Sequence, residues 1–333
     1  HLGTDAASRP WTSSDLIVNT DGIDVVLDGH SHSTIAGDVV LNKAGEEVLL
    51  SSTGTKLVNV GVLTITEDKE GAAVLETSLH DESIFKDDET TAYLEGIKSQ
   101  FEETLNKVVA HTDVDLIVND PTAVDAEGAP IRIIRSQETN LGDLCSDAYR
   151  YVSGADVAFV NGGGIRASIP AGDITYGQII KVHPFGNALT VMEATGQQIL
   201  DCLEMSVRNL PDENGGFMHV SGMTFEVNMA TESSVVTDEN GMFVEVSGAR
   251  RVENALINGE PVDPEKTYTV ASHNYMLKSA GDGFNMFQND PILQDETMLD
   301  NQVLITYITE GLGGVVGEAY AEPYGQGRIV IHD

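Results

Sequence analysis

Cationic side chains are scarce in this 333-residue chain: 18 Lys and Arg stand against 53 Asp and Glu, a formal net charge of −35. Such a chain repels phosphate backbones and anionic bilayers, which argues against a nucleic-acid or membrane-surface partner. A small anionic ligand stays open, because a few placed arginines or a metal reverse the field locally. Cysteine is almost absent. Cys145 and Cys202 cannot build a disulfide framework, and both fall in helix-like apolar patterns, so two buried thiols are expected. No apolar run approaches the length of a membrane span. A start methionine and a leader are also missing; the chain opens at His1 and reads as a mature chain or a fragment. What is plentiful is core material, 41% apolar residues, enough for two domains or one large one.

Apolar patterning predicts strands at 23–27, 38–41, 47–51 and 57–66, then an acidic stretch over 81–91 that marks a domain boundary. Leu94, Ile97, Phe101, Leu105 and Val108 form one stripe of an amphipathic helix. Beyond it, strands are predicted at 114–118, 156–160, 218–227, 242–246, 267–272 and 328–332. A helix over 141–152 has Asn140 as its N-cap and Gly154 past its end, and Thr195 with Gln198 reads as a capping box.

Several segments carry candidate chemistry. Gly29-His30-Ser31-His32 leaves the end of a buried strand, where α/β sheets bind ligands. Two histidines two apart suit neighbouring metals as well as they suit an exposed loop. Asn161-Gly162-Gly163-Gly164-Ile165-Arg166 follows a strand; its glycines let backbone N–H groups approach an anion, and Arg166 adds a bidentate charged partner. The segment lacks the spacing of a P-loop or of a dinucleotide-binding turn. Arg132 and Arg135 precede Ser136–Asn140 and are either anion ligands or ordinary salt-bridge partners. His183-Pro184-Phe185-Gly186-Asn187 and Tyr275 with Gly281-Asp282-Gly283-Phe284 supply two rings able to sandwich a flat base, and an aspartate able to accept from sugar hydroxyls.

Taken in order, His1-Leu2-Gly3, Gly29–His32, Arg135 with Asn140–Asp143, Asn161–Arg166, Ile174–Tyr176, Pro184–Asn187 and Gly281–Phe284 resemble the 5'-nucleotidase family of two-domain metallophosphoesterases. The resemblance implies an α/β and α+β chain. Residues 1–85 would be the remnant of a metallophosphoesterase α/β sandwich, 86–112 a linker with a connecting helix, and 113–333 a complete substrate-binding domain with a mixed sheet. It puts metal ligation on His1, His30 and His32. Substrate binding falls on Arg135, Asn161, Gly163, Arg166, Phe185, Asn187, Tyr275 and Asp282. The family's Asp-x-His, bridging Asp and Asn-His-Asp/Glu segments do not precede His1. The chain therefore resembles a member lacking the first half of its metal domain, with the catalytic His–acid pair expected upstream. Where the family places a Phe six residues before the Asp, Met276 stands, so Tyr275 is expected to stack instead.

The implied activity of the parent protein is nucleotide phosphate-ester hydrolysis, in nucleotide catabolism, with two divalent metals such as Zn or Mn. This chain would supply nucleotide binding and part of the dimetal site, with weak or no metal binding and no useful catalysis alone. The alternatives are a 2',3'-cyclic-nucleotide phosphodiesterase or nucleotide-sugar hydrolase, and a non-catalytic nucleotide-binding module. The implied partners are a nucleoside monophosphate or related nucleotide and the missing half-domain. The implied setting is secreted, cell-surface or periplasmic.

Overall fold

The computed structural model describes residues 1–4, 11–81, 86–125 and 128–333. The chain forms two compact units, His1–Lys98 and Ser99–Asp333. The boundary read at residue 85 falls on 82–85, outside the described residues.

In the first unit, Val25–Asp28 pairs parallel with Glu47–Thr53, which pairs antiparallel with Thr34–Leu41. A short helix, Ser13–Val18, begins with a capping box in which Thr12 and Asp15 exchange backbone and side-chain hydrogen bonds. Its Ile17 joins Val48 and Leu50 in a small buried core. Val60–Glu67 and Ala73–His80 form a separate hairpin. The strand expected from residue 57 begins at 60, because Lys56 and Leu57 take left-handed turn conformations.

Helix Asp88–Leu105 then carries the chain onward. It ends before Val108, which opens the strand Val108–Thr112 rather than completing the helical stripe. Lys107 tightens the last turn by bonding to Thr104 O, and its own carbonyl accepts from the Tyr176 N–H. Val108–Thr112 pairs with Gly172–Thr175 and belongs to the second unit, although the sequence reading places it in the linker. The helix buries none of its side chains: Leu94 and Phe101 are exposed.

The second unit is built on a mixed five-stranded sheet in the order Met218–Ser221, Val157–Asn161, Thr267–His273, Leu189–Thr195, Ile292–Gln294. Only Val157–Asn161 and Thr267–His273 run parallel in it. Strand residues alternate between its faces. Ala158 and Val160 pack with Leu141, Leu144 and Ala148 of helix Asn140–Ser153. Val157 and Phe159 pack with Ile199 and Leu203 of helix Gly196–Val207 on the opposite face. A second sheet, Glu260–Pro261, Val252–Ile257, Met223–Asn228 and Ile329–His332, extends that second core. This is the α/β and α+β organisation expected. Among the described residues no helix is long and apolar enough to cross a membrane.

Two local expectations change. Residues 114–118 are not a strand; a single bridge joins Leu116 to Ile169. The segment is held by Asn140 instead, whose buried amide accepts from Ile117 N–H at 3.0 Å and donates to Asp115 O at 2.8 Å and Tyr320 O at 2.9 Å. That duty removes Asn140 from the cap, and Thr139 caps the helix by accepting from Gly142 N–H. Gly154 ends the helix in the left-handed region, as expected, and the expected capping box of Thr195 and Gln198 opens helix Gly196–Val207. Cys145 and Cys202 are free and buried, in separate cores, and burial raises both thiol pKa values.

Gly142 has a packing reason. A Cβ there would lie 2.0 Å from Nδ1 of the buried His219. Replacing a helical glycine by alanine ordinarily gains about 1 kcal/mol. Here overpacking costs about 3 kcal/mol and wins. Gly142→Ala is expected to lower the urea midpoint, and His219→Ala in that background to recover part of the loss.

Buried Asp143 faces Glu138 and Arg328 in the same core edge. Burial pushes its carboxyl up to about 9, with the Glu138 carboxylate adding to the rise against the pull of Arg328. The folded state thus keeps a proton that the unfolded chain releases near pH 4, so folding weakens as pH rises across that window. Asparagine imitates the protonated form. The Tm advantage of Asp143→Asn over the unmodified chain is expected to grow between pH 6 and pH 8.

Candidate functional site

Topology brings the candidate residues of the second unit to one edge. The parallel strands end at Asn161 and His273, while Met218 and Leu189 begin the antiparallel strands beside them. The loops at 161–166, 183–189, 214–217 and 273–284 therefore share the carboxyl edge of the parallel pair, where such sheets bind ligands.

At that edge Asn161 donates from Nδ2 to Gly215 O at 3.0 Å and to Asp282 Oδ2 at 3.1 Å. Tyr275 donates its hydroxyl proton to Asp282 Oδ1 at 3.1 Å and accepts from the Asp282 N–H at 3.2 Å. Tyr275 is 39% exposed, whereas Met276 is buried in the core. The tyrosine ring lies against Gly281, where a Cβ would come within 2.2 Å of it. Phe185 is 60% exposed, and the Arg166 guanidinium stands over its ring at 5.8 Å. Asn187 sits at the same edge with its backbone tied to Asp300.

Arg135 is largely buried. Burial first, then the like charges of Arg132 and Arg166, lower its pKa to about 10, while Glu213 and Asp282 oppose the fall. Arg166 is lowered by burial and by Arg132. Three guanidiniums thus face two carboxylates, a local positive field in a strongly acidic chain. Arg132 itself makes a two-pronged pair with Glu213, Nε to Oε1 at 2.8 Å and Nη2 to Oε2, so its salt-bridge reading holds.

The glycine loop serves a different end from the one expected. Gly162 N–H donates to Phe217 O at 2.7 Å and Gly163 N–H to Gly215 O at 2.8 Å, so neither is offered to an anion. A Cβ on Gly162 would lie 2.0 Å from Ile134 O, and one on Gly163 2.8 Å from Gly215 O. The glycines let the protein's own strands approach, and through them Arg135, which follows Ile134, reaches the edge.

Sequence reading missed three contributors. His273 places Nε2 3.0 Å from Asn161 Oδ1. His183 is hydrogen-bonded to the Gly164 backbone, and burial lowers it to about 4. Arg208 bonds to Met205 O and reaches Asp282 O at 3.4 Å. A histidine closing an apolar strand was the available signal for His273; nothing in its spacing marked Arg208.

The first unit presents another picture. His1 and His30 meet edge to face with ring centroids 5.1 Å apart. Asp28 is committed to Leu2 N–H, Gly3 N–H and the Ser13 hydroxyl. Among the described residues no three His, Cys, Asp or Glu side chains converge as a ligand set, so His1, His30 and His32 do not by themselves fit a dimetal centre.

The family model "5'-nucleotidase, C-terminal domain" matches residues 108–289, more than half of the chain. The chain belongs to this family. It is 29% identical over 330 residues, 95% of its length, to the Trifunctional nucleotide phosphoesterase protein YfkN of Bacillus subtilis, and spans 20% of that protein. It is 30% identical over 249 residues to a 5'-nucleotidase of Vibrio cholerae, covering 74% of this chain and 36% of that one. The crystal structure of a 5'-nucleotidase precursor from Thermus thermophilus superposes with a TM-score of 0.69 at 28% identity, covering 96% of this chain and 61% of that one. The chain thus spans between a fifth and about a third of these two curated relatives. The 5'-nucleotidase match begins at Val108, the first residue of the second unit's strand, and takes in every candidate residue of the sheet edge.

Proposed function

We propose that the second unit binds a nucleoside monophosphate or a related nucleotide, and that the parent protein, of which this chain is a part, hydrolyses its phosphate ester as a 5'-nucleotidase does. The observation that carries this reading is the convergence of two rings, two guanidiniums and one carboxylate at a single sheet edge. In it the base stacks between Phe185 and Tyr275, worth roughly 1–3 kcal/mol per stacked face. Asp282 accepts from the sugar hydroxyls, and Arg135 and Arg166 pair with the phosphate. Asn161, whose amide hydrogens are already engaged, holds Asp282 rather than the ligand. Asn187 lines the pocket through its backbone turn.

Family resemblance implies a divalent pair that activates water against phosphorus when bound. The histidines of the first unit supply part of such a set at most, so what this chain's own residues do is grip and orient the nucleotide.

Isothermal titration of the full chain with adenosine and AMP tests the reading. Both are expected to bind, AMP more tightly. Arg135→Gln and Arg166→Gln should each weaken AMP about tenfold while shifting adenosine less than about twofold. Absence of heat and of any thermal shift with either ligand at millimolar concentration would overturn it.

A further inference from the structure

His273 is 2% exposed and Asn161 3%, so the contact between them is sealed from solvent. Which atom of the Asn161 amide is nitrogen follows from its neighbours. One end of the amide faces Gly215 O at 3.0 Å and Asp282 Oδ2 at 3.1 Å. A carbonyl only accepts, so that end must be the donating NH₂. The other end is then the oxygen, and the group facing it at 3.0 Å, His273 Nε2, must donate. The imidazole is therefore the Nε2–H tautomer. Its Nδ1 is buried and has no hydrogen-bond partner among the described residues. Burial and the neighbouring His183 both disfavour a second proton, lowering the pKa to about 3.

The consequence reaches the carboxylate. Asp282 has a left-handed backbone, φ 52°, next to Ala280 at φ 51° and Gly283 at φ 88°. Its two oxygens are each held by one donor, Oδ1 by Tyr275 and Oδ2 by Asn161. A carboxylate has about four lone-pair sites, so this arrangement leaves acceptors in fixed directions.

We infer that His273 is a positioning residue for sugar recognition: by donating from Nε2 it fixes the Asn161 amide, which in turn sets the Asp282 carboxylate to accept a ribose diol. This rests on the nucleotide-binding reading above. Without the imidazole donor the amide oxygen is buried and unpaired, so the amide shifts toward another donor and its grip on Asp282 loosens.

The test compares adenosine with 2',3'-dideoxyadenosine by titration calorimetry on the full chain, with Tm measured for each variant. In the unmodified chain adenosine is expected to bind more tightly. His273→Leu should weaken adenosine about tenfold, the loss of one hydrogen bond to a charged group. The dideoxy ligand should shift less than about threefold. His273→Gln, which retains an N–H donor, should restore most of the diol preference. Equal weakening of both ligands in the Leu variant would reduce His273 to a packing residue and overturn the inference. Independent of any ligand, ¹⁵N shifts of the His273 ring should report a protonated Nε2 and a bare Nδ1 at pH 7; the Nδ1–H tautomer would also overturn it. Failure of the unmodified chain to bind adenosine sinks the functional reading itself, an outcome distinct from either of these.

Discussion

Parallel pairing of Val157–Asn161 with Thr267–His273 is the constraint on which the sheet edge depends. Val157, Ala158, Val270 and Ala271 at the pairing are all fully buried. The alternation that sends Val157 and Val270 to one core sends Ala158 and Ala271 to the other. A slip of one residue would exchange the two faces and drive every large side chain into the wrong core. Register here is therefore set by burial, and the same register brings the two strand ends, Asn161 and His273, within 3.0 Å. The antiparallel neighbours then return their loops to that edge without further specification.

Electrostatics work on top of this frame. An acidic chain can hold a positive patch only where carboxylates are excluded or already engaged. Glu213 is engaged by Arg132, and Asp282 by Tyr275 and Asn161. Arg135 is left mostly buried between like charges, which destabilises its charged form and lowers its pKa. An incoming anion would relieve that repulsion, so the cost carried by the unliganded site becomes affinity. Arg208, behind the Gly281–Gly283 turn, adds a further guanidinium: burial lowers its pKa, the nearby Asp282 opposes the fall, and its hydrogen bond to the Asp282 carbonyl holds the turn.

Much of this was legible in the sequence, and the boundary of legibility has a physical cause. Local signals read correctly: the capping box at Thr195 with Gln198, the left-handed Gly154, and the strands expected at 156–160 and 267–272 and found at Val157–Asn161 and Thr267–His273 depend on neighbours within a few residues. That Tyr275, not Met276, stands beside the Asp282 turn was also legible, from the one-residue offset in its spacing. The failures involve partners far apart in the chain. Asn140 looks like a cap until Tyr320, 180 residues away, accepts its amide. Gly162 and Gly163 look like anion-binding glycines until Phe217 and Gly215 take their N–H groups. Val108 fits the helical stripe, yet the strand at Gly172–Thr175 recruits it. Spacing reports what a residue could do; the fold decides which long-range partner claims it first.

Backbone strain separates the two units in a way that composition does not. Non-glycine residues in the left-handed region cost about 1–3 kcal/mol each and persist only where the surroundings require them. Ala280 and Asp282 form one such pair, and their surroundings are visible: Tyr275, Asn161 and Arg208 hold the turn from three sides. In the first unit His30 and His32 form another, at φ 76° and 60°. Around them the hydrogen bonds join Thr4, Ser31 and Ser33, which fix the loop between the histidines. Asp28 supports the preceding backbone and is fully occupied in doing so. Packing in the first unit thus accounts for where the loop runs: the Ser31 and Ser33 hydroxyls tie it to Thr4, and Asp28 ties the strand end to Leu2, Gly3 and Ser13.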